Sequence, residues 1–184
     1  MDRGFQVFNT ARSVVVAADP LTAADLLPGL PRPLMHGVTT HYHVAPVAPV
    51  AWPIIVLDGE SAGPVANSVV LTNAAPSYSP DSRALISTSV LGTGHLTDRE
   101  LRHALERLHG VSTVDWEHLA SVPVPYALPA AVVPLGNLRR PVSLGDGRFV
   151  AGDHRDTPSI QGAMVSGCRA ARAVLASMAG RPEQ

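Results

Sequence analysis

The sequence predicts an α+β fold, a mixed and largely antiparallel sheet with flanking helices. Three observations predict it. Four short β-rich segments lie between positions 36 and 91, an amphipathic helix follows them, and a strand leading into a long helix of small residues comes last. The 184 residues fit one domain, 1–184, which can bury roughly 70% of its unfolded surface without disulfides or a structural metal.

Local signals define the first elements. The apolar β-branched run from Ser13 to Asp19 predicts a strand buried on both faces. Asp19 is a suitable N-cap and Pro20 a suitable first helical residue, which predicts a short helix through Leu27. The segments "HGVTTHYHV", "PIIVLDGE", "NSVVLTN" and "RALISTSVL" then predict four short strands.

A capping box defines the central helix. Thr97 and Glu100 form the box, and Gly110 supplies the stop. Its buried stripe consists of Leu101, Leu105 and Leu108. Beyond it, residues 113–124 predict a further strand, which a Pro-broken passage through position 141 follows.

Turn and cap residues define the C-terminal elements. The sequence Gly145-Asp146-Gly147 predicts a hairpin turn that leads into a strand from Arg148 to Gly152. Ser159 caps a final helix that extends to about Met178.

The final helix has an unusual composition. One stripe of apolar positions repeats at helical spacing, namely Ile160, Ala163, Met164, Gly167, Ala171, Val174, Leu175 and Met178. Small residues fill its first half, namely Gly162, Ala163, Ser166, Gly167, Ala170 and Ala171. They let a flat ligand or another backbone come close to the helix axis. The helix N-terminus favours a negatively polarised group, and Asp153 just upstream can accept hydrogen bonds from ligand hydroxyls.

These last residues resemble a known motif. The string "FVAGD" followed by "SIQGAMVSGCRAA" resembles the C-terminal flavin-binding motif of the flavin-containing amine oxidase and phytoene desaturase superfamily. Upstream, "ARSVVVAADP" and "ADLLPGL" are similar to that family's crossing from the cofactor domain into the substrate domain. The resemblance divides the single domain into 1–30 as a cofactor-domain edge, 31–147 as a substrate-domain-like sheet and helix, and 148–184 as the flavin motif.

The resemblance implies FAD as cofactor and hydride transfer with a hydrophobic small molecule as the reaction. It places Gly152 and Asp153 at the corner beside the FAD ribityl and pyrophosphate groups. It also places the backbone amides of Ile160, Gln161 and Gly162 near the pyrimidine edge of the flavin. The alternative is a helix that simply packs on a sheet, with glycines for close contact.

Two of the family's features are missing from this sequence. The G-x-G-x-x-G unit that binds the ADP half of FAD is absent, because "LGTGHL" lacks the third glycine and is a turn. All 14 basic residues are arginine, so the flavin-proximal lysine of amine oxidases is absent and amine oxidation is not supported.

Three explanations follow from these absences. In the first, a flavin-domain partner chain or a homo-oligomer completes a shared FAD site. In the second, a flavin-free half-fold binds, isomerises or cyclises a hydrophobic small molecule. In the third, the chain is an inactive fragment.

Composition excludes several other classes of function. The net charge of −1 and the scattered arginines do not support nucleic-acid binding. No apolar run has the length of a membrane span, and "MDRGFQVFNT" lacks the apolar core of a signal peptide. The single cysteine, Cys168, precludes an internal disulfide and predicts a cytoplasmic protein.

The remaining polar motifs predict no catalytic residue. His41 and His43 point to one face of a strand as half a metal site, but no third ligand has a persuasive spacing, so no metal is predicted. Tyr42 then points into the core. Ser166 lies inside a helix instead of on a nucleophile elbow.

The sequence predicts a functional role for one residue of the loop "GDHRD" and a structural role for the others. Asp153 is assigned to the cofactor, whereas His154, Arg155 and Asp156 are predicted to form a solvated turn with local charge pairs. Four aromatic residues line either a hydrophobic pocket or the core, namely Trp52, Trp116, Tyr78 and Tyr126.

Overall fold

The computed structural model describes residues 11–60, 63–131 and 136–180. Its elements are β1 (Val14–Val16), α1 (Pro20–Leu26), β2 (Met35–Ala45), β3 (Ile55–Leu57), β4 (Val65–Val70), α2 (Leu71–Ala74), β5 (Ala84–Leu91), α3 (Asp98–His109), β6 (Glu117–Pro129), β7 (Ser143–Gly145), β8 (Arg148–Val150) and α4 (Ile160–Ala179). The predicted α+β class is confirmed. Two predicted stretches lie outside the described residues. They are 1–10, where the sequence predicts no signal peptide, and 132–135, which belongs to the Pro-broken passage.

The chain divides into two compact units. Unit 1 combines the two ends of the chain, Met1–Leu34 and Pro129–Gln184, and unit 2 is the segment Met35–Leu128 between them. The predicted segments 1–30, 31–147 and 148–184 stay a prediction. A backbone hydrogen bond of 2.8 Å from the Ala130 N–H to the Leu34 carbonyl joins the two segments that flank unit 2.

Unit 1 contains a three-stranded mixed sheet in the order β1-β8-β7. Strand β1 pairs in parallel with β8, and β7 pairs antiparallel with β8 across the predicted Gly-Asp-Gly hairpin. The Asp19 carboxylate accepts hydrogen bonds from the N–H groups of Leu21 and Thr22 at 3.1 Å, which confirms the predicted N-cap of α1. Helix α1 buries Ala23 with Leu27, Leu30 and Val150 in a small core.

Strand β1 differs from its prediction in burial. Val14 is 51% exposed and Val15 is 43% exposed, although the apolar run predicts a strand buried on both faces. Strand β1 lies at the edge of its sheet. Among the described residues, nothing covers these two valines as the second layer of a parallel sheet would.

Unit 2 is a five-stranded sheet in the order β3-β4-β5-β2-β6, with antiparallel pairing from β3 to β2. The Thr97–Glu100 capping box and the left-handed Gly110 stop are present in α3, as predicted. Leu101 and Leu105 of α3 are buried in the core of unit 2 with Ile86 of β5, and Leu108 packs against that core.

The last strand of unit 2 begins and ends later than predicted. Strand β6 begins at Glu117 and continues to Pro129, whereas the sequence predicts a break after Val124. Strand β6 lies at the edge of its sheet, where a proline can replace a residue whose N–H would face solvent. Pro123 and Pro125 are therefore compatible with the strand.

No helix in the described part of the chain combines the length and hydropathy needed to cross a membrane.

The core of unit 2 contains several imidazole rings. His41 and His43 are buried side by side on β2, and His109 of α3 is partly buried. The His43 ring centroid is 5.4 Å from that of His118 and 6.1 Å from that of Trp116. Burial lowers the pKa of His41, His43 and His109 from the ordinary 6.5, so these rings are neutral in the folded protein at neutral pH.

We predict that acid destabilises the protein through these rings. Below pH 6.5 the unfolded chain binds protons that the folded chain does not, so the free energy of unfolding falls as the pH decreases. The His43→Gln variant, measured by urea unfolding between pH 7.5 and 5, is expected to reduce this slope by up to about 1.4 kcal/mol per pH unit. The His36→Gln variant is the control, because His36 lies exposed on the same strand. Equal slopes in both variants would contradict the prediction.

Candidate functional site

The site begins where strand β8 ends at a glycine corner. Phe149 and Val150 are buried, and the chain then turns at Gly152, whose φ is +154°. A Cβ at this position would lie 2.5 Å from Cε1 and 2.6 Å from Nδ1 of the His154 ring. Glycine is therefore required here both by the backbone conformation and by the close approach of that ring.

The Ser166 hydroxyl joins the corner to helix α4. Its Oγ accepts a hydrogen bond of 2.9 Å from the Gly152 N–H. Its proton lies within reach of the carbonyl oxygens of Gly152 at 2.7 Å and Ala163 at 2.8 Å. Ser166 is fully buried, so its side chain fixes the position of α4 relative to the corner and does not serve as a nucleophile.

Helix α4 has the predicted extent and cap but buries a different face. Ser159 caps it by accepting the Gly162 N–H at 3.0 Å. The buried positions are Gly162, Ser166 and Ala170. The predicted apolar stripe lies roughly a third of a turn away and is largely exposed, with Ile160 at 78%, Met164 at 67% and Leu175 at 66%.

The small residues of α4 therefore divide into two groups. Gly162, Ser166 and Ala170 allow close packing within unit 1, as the alternative reading of the motif predicts. A Cβ on Gly167 would meet no atom within 4 Å, and Ala171 is exposed. These two residues leave the outer face of the helix open to close approach by another group.

The five predicted cofactor residues lie at the corner and at the first turn of α4. The Asp153 side chain is 25% exposed and accepts no hydrogen bond within the described residues. Ile160 and Gln161 are exposed, and their backbone N–H groups donate to no acceptor in the described part of the chain. The Gly162 N–H donates to the Ser159 hydroxyl at 3.0 Å, and its role toward a ligand stays a prediction.

The loop after the corner is not the solvated turn that the sequence predicts. Residues Asp153–Arg155 form a short 3-10 turn in which His154 and Arg155 are buried. Arg155 donates to the Pro141 carbonyl oxygen at 3.0 Å. Only Asp156 forms the expected charge pairs, with Arg139 at 3.3 Å and Arg169 at 3.1 Å.

These groups fit part of a flavin site. Asp153 offers a free carboxylate, the first turn of α4 offers two free N–H groups, and both ring nitrogens of His154 are buried without a partner in the described residues. The cleft beside them has a volume of about 30 Å³, too small to enclose a flavin ring. A flavin would therefore need a second surface to cover it.

Unit 2 places the other predicted residues in the core or on the surface. His41 bonds to Ser121 at 2.7 Å and His43 contacts Asp98 at 3.4 Å. The histidine face is the core face, so the prediction that Tyr42 points into the core is wrong. No three His, Cys, Asp or Glu side chains within the described ranges form a metal-binding group.

The four predicted aromatic residues have different environments. Trp116 is buried in the core, whereas Trp52 and Tyr126 are exposed. Tyr78 lines an open cleft of about 240 Å³ in unit 2, together with Val44 and Leu85.

Comparisons with known proteins agree with the motif. Residues 2–175 match the family described as flavin containing amine oxidoreductase. No match was found among curated protein sequences.

Two solved structures match part of their length to this chain. The PF1083 protein from Pyrococcus furiosus matches with a TM-score of 0.51 and 14% identity, over 85% of this chain and 35% of that chain. An oxidoreductase from Methanosarcina mazei matches with a TM-score of 0.47 and 12% identity, over 79% of this chain and 34% of that chain. The first likeness shows a shared fold, and this chain spans about a third of the length of both proteins.

We predict that two glycines of α4 respond oppositely to alanine. In Gly162→Ala, the new Cβ would lie 1.9 Å from the Thr157 carbonyl oxygen, so the first turn must move, at a cost of about 1–3 kcal/mol. In Gly167→Ala, the Cβ meets no atom and helix propensity improves by about 0.5–1 kcal/mol. Urea unfolding of both variants measures the difference. Equal stability of the Gly162→Ala and Gly167→Ala variants would contradict the prediction.

Proposed function

The chain belongs to the flavin containing amine oxidoreductase family, and we propose that it forms the substrate-domain and C-terminal part of an FAD-dependent oxidoreductase acting on a hydrophobic small molecule. A flavin-domain partner chain or a second copy supplies the remaining part of the FAD site. The observation that carries this proposal is the exposed apolar stripe of α4 beside a Gly-Asp corner of the family's type.

The apolar stripe supports a missing protein layer. Ile160, Met164 and Leu175 are each more than 60% exposed, and they lie on a different face of the helix from the packed residues Gly162, Ser166 and Ala170. Burying a Leu, Ile or Met side chain contributes about 1.5–3 kcal/mol. A partner surface that covers these three side chains therefore gains a substantial part of a stable interface from them.

The small sheet of unit 1 supports the same conclusion independently. A parallel pair such as β1 and β8 normally has both of its faces covered. Val14 and Val15 are nevertheless half-exposed on β1, which also lies at the sheet edge. A partner that packs on α4 and extends this sheet would cover both the apolar stripe of α4 and the exposed valines of β1.

The chain's own residues have binding and orienting roles in this proposal. Asp153 accepts hydrogen bonds from the ribityl hydroxyls, and the N–H groups of Ile160 and Gln161 face a negatively polarised edge of the flavin. The bound flavin supplies the hydride acceptor. Ser166 and Gly152 hold the carboxylate and the helix N-terminus in one rigid arrangement.

Unit 2 supports a hydrophobic substrate. The open cleft of about 240 Å³ is lined by Val44, Leu85 and Leu119 on its apolar side and by Asp81 and Arg83 on its polar side. Apolar walls with a few polar groups are typical of small-molecule sites. Because the sequence contains no lysine, we propose oxidation at a carbon centre, as in phytoene desaturases, in preference to amine oxidation.

The cytoplasmic location also remains a proposal.

We predict that the assembled protein binds FAD through Asp153. The experiment records the flavin absorbance of protein purified under native conditions and then dialysed against FAD. Asp153→Asn is expected to weaken FAD binding about tenfold or more, because it removes the charged acceptor for ribityl hydroxyls. Asp146→Asn is the control, because Asp146 belongs to the same unit and is exposed in the hairpin turn. A wild-type protein that stays colourless in its native assembly would favour the flavin-free alternative.

We predict that the apolar stripe of α4 is an assembly surface. Analytical ultracentrifugation of the natively purified protein is expected to show a mass greater than that of one chain. Met164→Glu is expected to reduce the assembly to single chains, since it places a charge in the centre of the stripe. Arg172→Glu, on another exposed part of the same helix, is expected to leave the mass unchanged. A wild-type single chain that binds FAD without a partner would contradict the shared site.

A further inference from the structure

Two imidazole rings on neighbouring strands of unit 2 face the same hydroxyl group. His41 lies on β2, and His118 lies on β6, the strand beside β2 at the sheet edge. The Ser121 Oγ is 2.7 Å from Nδ1 of His41 and 2.8 Å from Nε2 of His118. Two ring nitrogens from different strands therefore converge on one point.

This pairing differs from the one that the sequence predicts. The alternation along β2 groups His41 with His43, but His43 is fully buried and contacts Asp98 at 3.4 Å. The structure instead brings the ring centroid of His118 within 6.5 Å of that of His41. No sequence pattern joins these two residues, because they come together only when β6 lies beside β2.

The Ser121 hydroxyl limits how the two rings can be protonated. It has a single hydrogen, so it donates to one imidazole, and the other imidazole must donate its own N–H to the oxygen. A metal ion between the rings would instead accept an electron pair from both facing nitrogens, with each ring protonated on its other nitrogen. The converging nitrogens thus suit a cation that prefers imidazole ligands.

The converging nitrogens are accessible from solvent. His41 is 6% exposed, whereas His118 and Ser121 are exposed on the edge strand. An ion therefore has an entry path, and water molecules have room to complete its coordination. Because Zn–N bonds are about 2.0–2.1 Å long, the two rings must move closer together on binding, and the exposed His118 side chain can make that movement.

The surroundings keep His41 neutral and do not repel a cation. Burial lowers the pKa of His41, and the charge of the Asp98 carboxylate opposes this effect. A neutral imidazole is the form that binds a metal ion. The nearby charges are balanced, because Asp98 pairs with Arg102 at 2.6 Å and Glu117 pairs with Arg83 at 3.0 Å.

We propose that His41 Nδ1 and His118 Nε2 bind Zn²⁺ or a similar divalent transition-metal ion, and that the ion joins the edge strand β6 to β2. Imidazole nitrogen is a ligand for these ions, whereas Mg²⁺ and Ca²⁺ prefer oxygen ligands. With two protein ligands, the site binds more weakly than the four-ligand zinc sites that hold a fold together. The site is independent of the proposed flavin function, because its residues all belong to unit 2.

The first test uses Zn²⁺ alone as the probe. The full chain is treated with EDTA, dialysed and titrated with Zn²⁺ while NMR records the histidine-ring resonances. The His41 and His118 resonances are expected to shift together and to saturate. His118→Asn is expected to weaken binding about tenfold or more, since the loss of even a hydrogen-bond partner of a metal ligand has that effect. Because His118 is exposed, this variant is expected to fold.

Matched variants control for other metal-binding groups. His36→Asn removes another exposed imidazole of β2, and Cys168→Ser removes the exposed thiol of α4. Both are expected to leave Zn²⁺ binding at the His41–His118 pair unchanged. Ser121→Ala is expected to retain the binding, because both ring nitrogens remain. Equal Zn²⁺ affinities of the His118→Asn and His36→Asn variants would overturn the proposal.

The second test measures whether the ion joins the two strands. Amide hydrogen exchange of the wild-type chain is followed by NMR with and without Zn²⁺. At a free Zn²⁺ concentration of about ten times its dissociation constant, exchange of the β6 amides near His118 is expected to slow about tenfold, because the ion must leave before the strand opens. His118→Asn is expected to abolish this protection. Exchange that stays unchanged while Zn²⁺ is bound would overturn the joining role.

Discussion

The Ser166 hydroxyl is the interaction on which the candidate site depends. It accepts a hydrogen bond from the Gly152 N–H and donates one to the Gly152 carbonyl oxygen, which also accepts from the Arg155 N–H. Ser166 connects the corner to helix α4, and Arg169 of the same helix adds hydrogen bonds to the Arg155 carbonyl oxygen and the Asp156 carboxylate. A glycine at position 152 and small residues along the inner side of α4 are the steric conditions for that contact.

The sequence predicts most of the local structure because the signals are local. The Asp19 and Ser159 caps, the Thr97 capping box and the hairpin at Gly145–Gly147 are each formed by residues a few positions apart. Their geometry depends little on the rest of the fold. Strand β6 could not be predicted to its end, because its prolines are acceptable only once the strand lies at a sheet edge.

The burial of α4 and of the corner loop depends on contacts that are distant in sequence. The apolar residues of α4 repeat at helical spacing, as the sequence predicts, but no surface within the described residues covers them. The inner side consists of Gly162, Ser166 and Ala170, whose low hydrophobicity gives no signal of burial. His154 and Arg155 read as surface residues in sequence, and only the three-dimensional packing against Gly152 and Pro141 buries them.

The hydrogen bond between Ala130 and Leu34 bears on the order in which the protein folds. Unit 2 is one continuous segment, so its contacts can form before residue 148 is synthesised, whereas the pairing of Val14 with Arg148 cannot. The hydrogen bond between Leu34 and Ala130 brings together the two segments that flank unit 2, which shortens the effective loop between β1 and β8 and lowers the entropic cost of closing it. The flavin-type corner therefore depends on a strand pairing between residues that are distant in sequence, and the Leu34–Ala130 hydrogen bond shortens the loop that this pairing closes.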